Sequence, residues 1–183
     1  MRKLKLQVQM TVDGYIAGSQ GEMDWTNRNW DDKLKKYVGE ITAPVDCIVL
    51  GRKLAQGFIP YWASHPEEPG ADKFNTTQKV VFTKTLERSE WDNTVLAQGD
   101  LVDEITQLKR QAGQDLIAYG GATFVAALIS HDLIDEFQLF INPAAIGNGL
   151  AIFKELDRKQ ALTLIKATPF DCGIVVLHYE PQR

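Results

Sequence analysis

Leu4, Leu6, Val8 and Met10 alternate with Lys3, Lys5, Gln7 and Gln9, and strict alternation predicts a strand with one apolar and one polar face. Asp13-Gly14 ends it, and a long Gly-containing loop runs from Gly18 to about Asn29. Leu34, Tyr37, Val38 and Ile41 recur at helical spacing, with Pro44 closing that helix. Val45 to Leu50 is a continuous apolar run, the signature of a strand buried on both faces. Gly51-Arg52-Lys53 then opens a strand-to-helix junction, and the Pro- and Glu-rich stretch from Pro60 to Gly70 reads as a surface loop. Lys79–Thr83 and Thr94–Ala97 are short strand patterns. Asp100 and Asp103 mark the start of a helix whose buried stripe is Leu101, Ile105 and Leu108. A strand from Asp115 to Tyr119 runs into Gly120-Gly121 and a helical pattern over Ala122–Ile129. Ile134–Ile141 reads as a strand closed by Pro143, and Ala161–Ala167 with Gly173–Tyr179 as an antiparallel hairpin.

Strands that alternate with helices and then pair at the end predict an α/β protein: a mostly parallel central sheet, flanked by helices, with an antiparallel C-terminal hairpin. The 183 residues, 44% of them apolar, suit a single domain over 1–183. A net charge of −4 without long like-charge blocks leaves no footprint for nucleic acid or an acidic membrane. The apolar runs are short of a bilayer span, and Met1-Arg2-Lys3 leads into a strand and not a signal-peptide core, so a cytoplasmic protein is expected. Cys47 and Cys172 lie in strand-like runs with no Cys or His at ligand spacing, which predicts two buried reduced thiols and no metal site.

Candidate chemistry gathers where strands end in glycine. Gly120-Gly121 leaves backbone N–H groups and the positive end of a helix open to a phosphate; the same pair also serves a tight turn that needs glycine only for its backbone angles. In a parallel sheet, the junctions after Leu50 and Tyr119 fall on one carboxyl edge, where open α/β folds bind ligands. Arg52 and Lys53 add positive charge there, and Thr83-Lys84 follows a third strand. That pattern fits a dinucleotide with an extra phosphate. The Gly-x-Gly-x-x-Gly fingerprint is absent, because Gly120-Gly121-Ala-Thr-Phe-Val lacks its third glycine.

The order of motifs resembles the dihydrofolate reductase-like superfamily, and within it the reductase domain that forms the C-terminal half of the bifunctional riboflavin-biosynthesis deaminase-reductase. The resemblance rests on Met10-Thr-Val-Asp-Gly-Tyr-Ile-Ala17, Val49-Leu-Gly-Arg52, Phe82-Thr83, Tyr119-Gly-Gly-Ala122, and Leu133-Ile-Asp-Glu136 leading to Pro143, Gly147, Gly149 and Phe153. It implies a single dihydrofolate reductase-like domain that uses NADPH. Gly120 and Gly121 would admit the pyrophosphate, with Ala122 and Thr123 opening the helix beneath it. Gly51 and Arg52 would cradle the adenosine-side phosphates, and Thr83 and Lys84 would flank the adenine ribose. Gln9, Ile16 and Ala17 would line the nicotinamide end, with the following loop closing over it. Leu54 departs from the family, in which a hydroxyl residue often sits two after the Arg.

Hydride transfer to a C=N or C=O bond also needs a proton donor. In dihydrofolate reductase a carboxylate follows a Pro-Trp of the mobile loop; here Asp24-Trp25 takes the Pro-Trp place and Asp31 and Asp32 fall near the carboxylate. The resemblance therefore makes Asp31, Asp32 and Trp25 the catalytic candidates, while first-turn acids that complement a helix dipole explain the two aspartates equally. The expected activity is reduction of a small heterocycle or its ribosylamino derivative, in the manner of 5-amino-6-(5-phosphoribosylamino)uracil reductase. A dihydrofolate reductase and a non-catalytic NADP-binding module are the alternatives. No deaminase signature of the form His-x-Glu…Pro-Cys-x-x-Cys is present. The family implies a homodimer, with Ile134–Ile146 as the apolar contact.

Overall fold

The computed structural model describes Met1 to Gln182. In chain order the elements are β1 (Leu4–Thr11), α1 (Asp32–Thr42), β2 (Val45–Gly51), α2 (Arg52–Ser64), α3 (Ala71–Thr76), β3 (Gln78–Phe82), β4 (Thr94–Ala97), α4 (Leu101–Arg110), β5 (Asp115–Ala118), α5 (Ala122–Ser130), β6 (Glu136–Asn142), β7 (Leu162–Pro169) and β8 (Val175–Pro181). They build one eight-stranded sheet in the order β4-β3-β2-β5-β1-β6-β8-β7. The first six of these run parallel, and β8 and β7 extend the sheet antiparallel. Among the described residues no helix is long and apolar enough to cross a membrane.

Alternate residues of each strand face opposite sides of the sheet. On one side, Leu4, Leu6, Val8 and Met10 of β1 share a core with Ile105 of α4 and Val125, Leu128 and Ile129 of α5. The other side carries two separate apolar clusters. Ile48, Leu50, Val81 and Ile117 pack under Ala55 and Ile59 of α2 and Phe74 of α3, whereas Phe140 and Val176 pack under Leu34 of α1. Between them runs the polar column of β1.

The expected polar face of β1 is present but covered, because β1 lies in the middle of the sheet and both of its faces are packed. Lys5 and Gln7 are only 6% and 8% exposed. Lys5 is neutralised by Asp115 at 3.1 Å and donates to the Ile41 carbonyl at 3.3 Å. Next to it, Tyr37 of α1 donates to Gln138 Oε1 at 2.6 Å, and Gln138 Nε2 donates to Glu136 at 2.7 Å. Burial pushes the Tyr37 phenol up to about 12.

Three expectations change. The loop forecast from Pro60 begins only after Ser64, since α2 continues through Pro60. Phe58 and Trp62 hold that last turn by packing on Phe74, at ring separations of 5.1 and 5.6 Å. The short helix α3, with Ala71 and Phe74 buried, falls inside residues that carry no clear period. Cys172 lies half-buried in the turn between β7 and β8 and not in a strand, while Cys47 is buried and its thiol is pushed up to about 11 by desolvation. Finally, β6 sits between β1 and β8 with Ile134, Phe137 and Leu139 buried. The Ile134–Ile146 stretch is therefore largely consumed by the core and leaves little surface for a second copy.

Candidate active site

The carboxyl ends of β1, β2, β3 and β5 surround a cleft of about 770 Å³. Its position follows from the strand order: β5 inserts between β2 and β1, so the glycine junctions after β2 and β5 become neighbours. Gly51, Arg52, Lys53 and Leu54 form one wall, Gly120 to Phe124 the floor, and Val8, Gln9, Ile16, Ala17 and Leu150 the far wall. Ser19, Gln20, Gly21 and Met23 of the long loop, together with Lys154, complete it.

Helix starts at this edge lack both a side-chain cap and a first-turn acid, whereas α3, away from the cleft, begins with an uncapped Gly70 but carries Asp72 in its first turn. α1 begins with Asp31, whose side chain accepts from Leu34 N, and α4 with Asp100, which accepts from Val102 N and Asp103 N. α2 and α5 begin instead with Gly51 and Gly121, make no side-chain cap bond and carry no acid in the first turn. The first N–H groups of a helix have no intrahelical partner, so these two ends offer donors and positive potential to the cleft. α2 goes further by placing Arg52 and Lys53 at that positive end. Cations there oppose the helix dipole and cost about 0.3–1 kcal/mol each, an arrangement that makes sense when an anion sits between them.

Backbone geometry keeps the floor open. Gly120 and Gly121 have φ of +149° and +81°, and a Cβ on Gly121 would project toward Leu54 at 3.7 Å and Phe124 at 3.9 Å, both of which line the cleft. At the far wall Ile16 N donates to Leu150 O at 2.9 Å and Leu150 N to Ala17 O at 2.8 Å. Gly149 makes that approach feasible, since a Cβ there would lie 2.3 Å from the Ala17 carbonyl. Asp13 straps the same region by accepting from Gly147 N at 2.7 Å and Ile146 N at 3.1 Å. Hydrogen bonds from the Thr11 side chain and these backbone groups hold its carboxyl below the usual range.

Of the sequence-predicted site residues, Gln9, Ile16, Ala17, Gly51, Arg52, Lys53, Gly120, Gly121, Ala122 and Thr123 line one cleft. Thr83 and Lys84 do not, although Phe82 just before them does. The Thr83 hydroxyl oxygen accepts from Thr85 N and Leu86 N, and Lys84 Nζ donates to the carbonyls of Gln98 and Gly99 at 2.7 Å each. Asp31, Asp32 and Trp25 also stay outside the cleft lining. Asp31 spends its second oxygen on Cys172 N at 3.0 Å, and these backbone donors, Leu34 N first, hold its carboxyl low. Asp32 is fully solvent-exposed, 3.9 Å from Lys35. Trp25 is half-buried, and its indole Nε1 has no hydrogen-bond partner among the described residues. No Asp or Glu lines the cleft among the described residues. Sequence reading missed Leu150 and Lys154, which reach it only because the 143–149 segment folds back on β1.

Metal-ligating side chains converge elsewhere. Glu136, His178 and Glu180 bring ligand atoms within 4.8 Å of one another near the amino end of β6. Lys3 occupies Glu180 at 3.0 Å and Gln138 occupies Glu136 at 2.7 Å, so the group reads as an ion-pair network.

Fold and cleft together define an open α/β sheet whose carboxyl edge carries two uncapped helix starts and a basic pair, chemistry that can accept an anion. A family model described as the RibD C-terminal domain matches residues 2–176, and the chain belongs to that family. Among its relatives are two uncharacterized Bacillus subtilis (strain 168) proteins. YyaP is 30% identical over 184 residues, covering 97% of this chain and 94% of YyaP. YwjB is 28% identical over 178 residues, covering 97% of each. The fold is shared with a putative riboflavin biosynthesis protein from Shewanella sp. PV-4, at a TM-score of 0.78, 24% identity and full coverage of both chains. It is also shared with a Thermotoga maritima diaminohydroxyphosphoribosylaminopyrimidine deaminase/5-amino-6-(5-phosphoribosylamino)uracil reductase. That match has a TM-score of 0.73 at 18% identity and covers 99% of this chain but 57% of the other.

Proposed function

We propose that this chain is a cytoplasmic NADPH-dependent reductase of the riboflavin-biosynthesis type, acting on a small heterocycle or its ribosylamino derivative. The observation that carries the reading is the pair of uncapped helix starts, at Gly51 and Gly121, that line one cleft, with Arg52 and Lys53 set against the dipole of α2. Membership in the RibD C-terminal domain family, and the uracil-reductase activity in the name of the Thermotoga protein, support the substrate class.

When bound, the dihydronicotinamide supplies a hydride. The chain's part is to hold and orient: Gly51, Arg52 and Lys53 take the adenosine-side phosphates, and the N–H groups of Ala122 and Thr123 take the pyrophosphate. Gln9, Ile16, Ala17 and Leu150 enclose the ring end. The extra phosphate that separates NADPH from NADH falls to Arg52 and Lys53, since Lys84 is engaged by two carbonyls. With no Asp or Glu on the cleft wall among the described residues, the proton for the substrate heteroatom comes from a source other than a side-chain carboxylate. The dihydrofolate reductase alternative loses the loop acid that motivated it.

A non-catalytic NADP-binding module is the second reading, favoured by the same lack of a carboxylate. Oxidation of NADPH measured against pteridines, dihydrofolate and ribosylaminopyrimidines separates the two. Turnover of a ribosylaminopyrimidine supports the reductase, NADPH binding without turnover of any compound supports the module, and no NADPH binding overturns both. A homodimer belongs to this proposal, with the exposed Leu164 and Ile165 on edge strand β7 as the apolar surface for a second copy.

A further inference from the structure

Gln9 is the polar side chain of β1 that reaches the cleft, and its amide has a fixed direction. Asn142, fully buried on β6, accepts from the backbone N–H of Asn27 at 2.9 Å and donates through Nδ2 to the Phe140 carbonyl at 3.1 Å. Each of those backbone groups has a single role, so the Asn142 amide cannot be turned over. Its Nδ2 also meets Gln9 at 2.8 Å; the atom it meets must be the acceptor Oε1. Asn27 is fixed in turn, because its Nδ2 donates to the Cys172 carbonyl at 2.7 Å and its Oδ1 accepts from Asn29 N at 2.9 Å. Gln9 Nε2 is therefore the outward atom, without a partner among the described residues, on a wall otherwise made of Val8, Ile16, Ala17 and Leu150.

We propose that Gln9 is a specificity-determining residue, presenting its Nε2–H donors to a carbonyl oxygen of the heterocyclic substrate, with Asn142 and Asn27 as positioning residues. The proposal rests on the reductase reading of the cleft. One oriented donor on an apolar wall selects a ring with a carbonyl on its edge, such as a pyrimidinone. A ring with an amino group at that place would set donor against donor and leave both unpaired.

The test titrates 5-amino-6-(5-phosphoribosylamino)uracil into the full chain saturated with NADP⁺, by calorimetry and by NMR of side-chain amides. The Gln9 amide signals, identified by their absence from Gln9→Met, should shift when the pyrimidinone is added. Gln9→Glu and Gln9→Met should each weaken the pyrimidinone about three- to tenfold, the worth of one neutral hydrogen bond, and weaken it more than they weaken NADP⁺, whose ring end shares that wall. Asn142→Asp still accepts from Asn27 but cannot donate to Gln9, so the Gln9 amide turns over and affinity falls similarly with Gln9 intact. Should one Gln9 variant not fold, the other and the native signals carry the test. If the Gln9 variants weaken NADP⁺ and not the pyrimidinone, the donor serves the nicotinamide carboxamide and the substrate assignment is overturned. If the pyrimidinone binds with the Gln9 signals unmoved, the assignment is overturned while the reductase reading stands. If the native chain binds neither, the reductase reading fails and takes this proposal with it.

Discussion

Asp31 has both carboxylate oxygens committed to backbone donors, Leu34 N at 2.8 Å and Cys172 N at 3.0 Å. One bond starts α1 and the other ties that helix to the turn between β7 and β8. A carboxylate so engaged is poorly suited to move protons, so Asp31→Ala should lower the melting temperature and leave NADPH affinity and kcat unchanged. The pH dependence has a definite sign. Its pKa is depressed in the folded chain, so its contribution is complete above the unfolded carboxylate value of about 4 and is lost as pH falls through the folded value. Urea midpoints for native and Asp31→Ala protein should therefore differ at neutral pH and converge on acidification; a constant gap would show that the charge is not what stabilises. Gly121 makes the opposite case, a residue defined by what it leaves out. At φ +81° and ψ 98° a Cβ meets only ordinary contacts, but the backbone lies in a region that L residues rarely adopt, so Gly121→Ala should cost roughly 1–3 kcal/mol of strain. Gly121→Val should remove NADPH binding from a chain that still folds, and a variant that binds normally would assign the glycine to the turn alone.

At the scale of elements, the capping pattern was legible from sequence on both sides of the divide. Asp100 before an apolar period and Gly121 before another are visible as letters, and they fold as a capped and an uncapped helix. Pro60 misled because local punctuation was outweighed by tertiary packing: the aromatic cluster of Phe58, Trp62, Phe74 and Tyr119 keeps α2 helical to Ser64. The first turn of α2 yields a sharp prediction. Arg52 opposes the dipole, so Arg52→Glu should raise stability by about 0.3–1 kcal/mol. The same change removes a charge-assisted hydrogen bond worth about 1.5–3 kcal/mol and adds repulsion, so NADPH affinity should fall at least about tenfold. Denaturation and calorimetry on one sample read both. A variant that gains stability and keeps its affinity would show that the basic pair has no ligand.

At the scale of the molecule, strand order is what the sequence withheld. Nothing local says that β5 inserts between β2 and β1, yet that insertion sets the glycine junctions side by side and buries the polar face of β1. The Gln9–Asn142–Asn27 chain is invisible for the same reason, since it spans the β1–β6 register and a loop far away in sequence. The parts of the cleft lining at the β2 and β5 ends were legible because glycine and charge mark them locally, and Gln9, Ile16 and Ala17 only through the family resemblance; Thr83, Lys84 and the loop acids were not separable from structural roles until their partners were seen. The whole fold also gives the ligand a thermodynamic signature. A ligand that binds only the folded chain adds about 2.7 kcal/mol at a hundredfold excess over its Kd. For a domain of this size that corresponds to roughly 5–11 °C in melting temperature, at about 2–4 °C per kcal/mol. NADPH should produce such a shift, and NADH at equal concentration a smaller one. At the same NADPH concentration the shift should fall to about half or less in Arg52→Glu, at the cleft, and persist in full in Asp31→Ala, which lies outside it. Equal shifts in all three proteins would place the binding site somewhere other than this sheet edge, and no shift with saturating NADPH would remove the cofactor from the account.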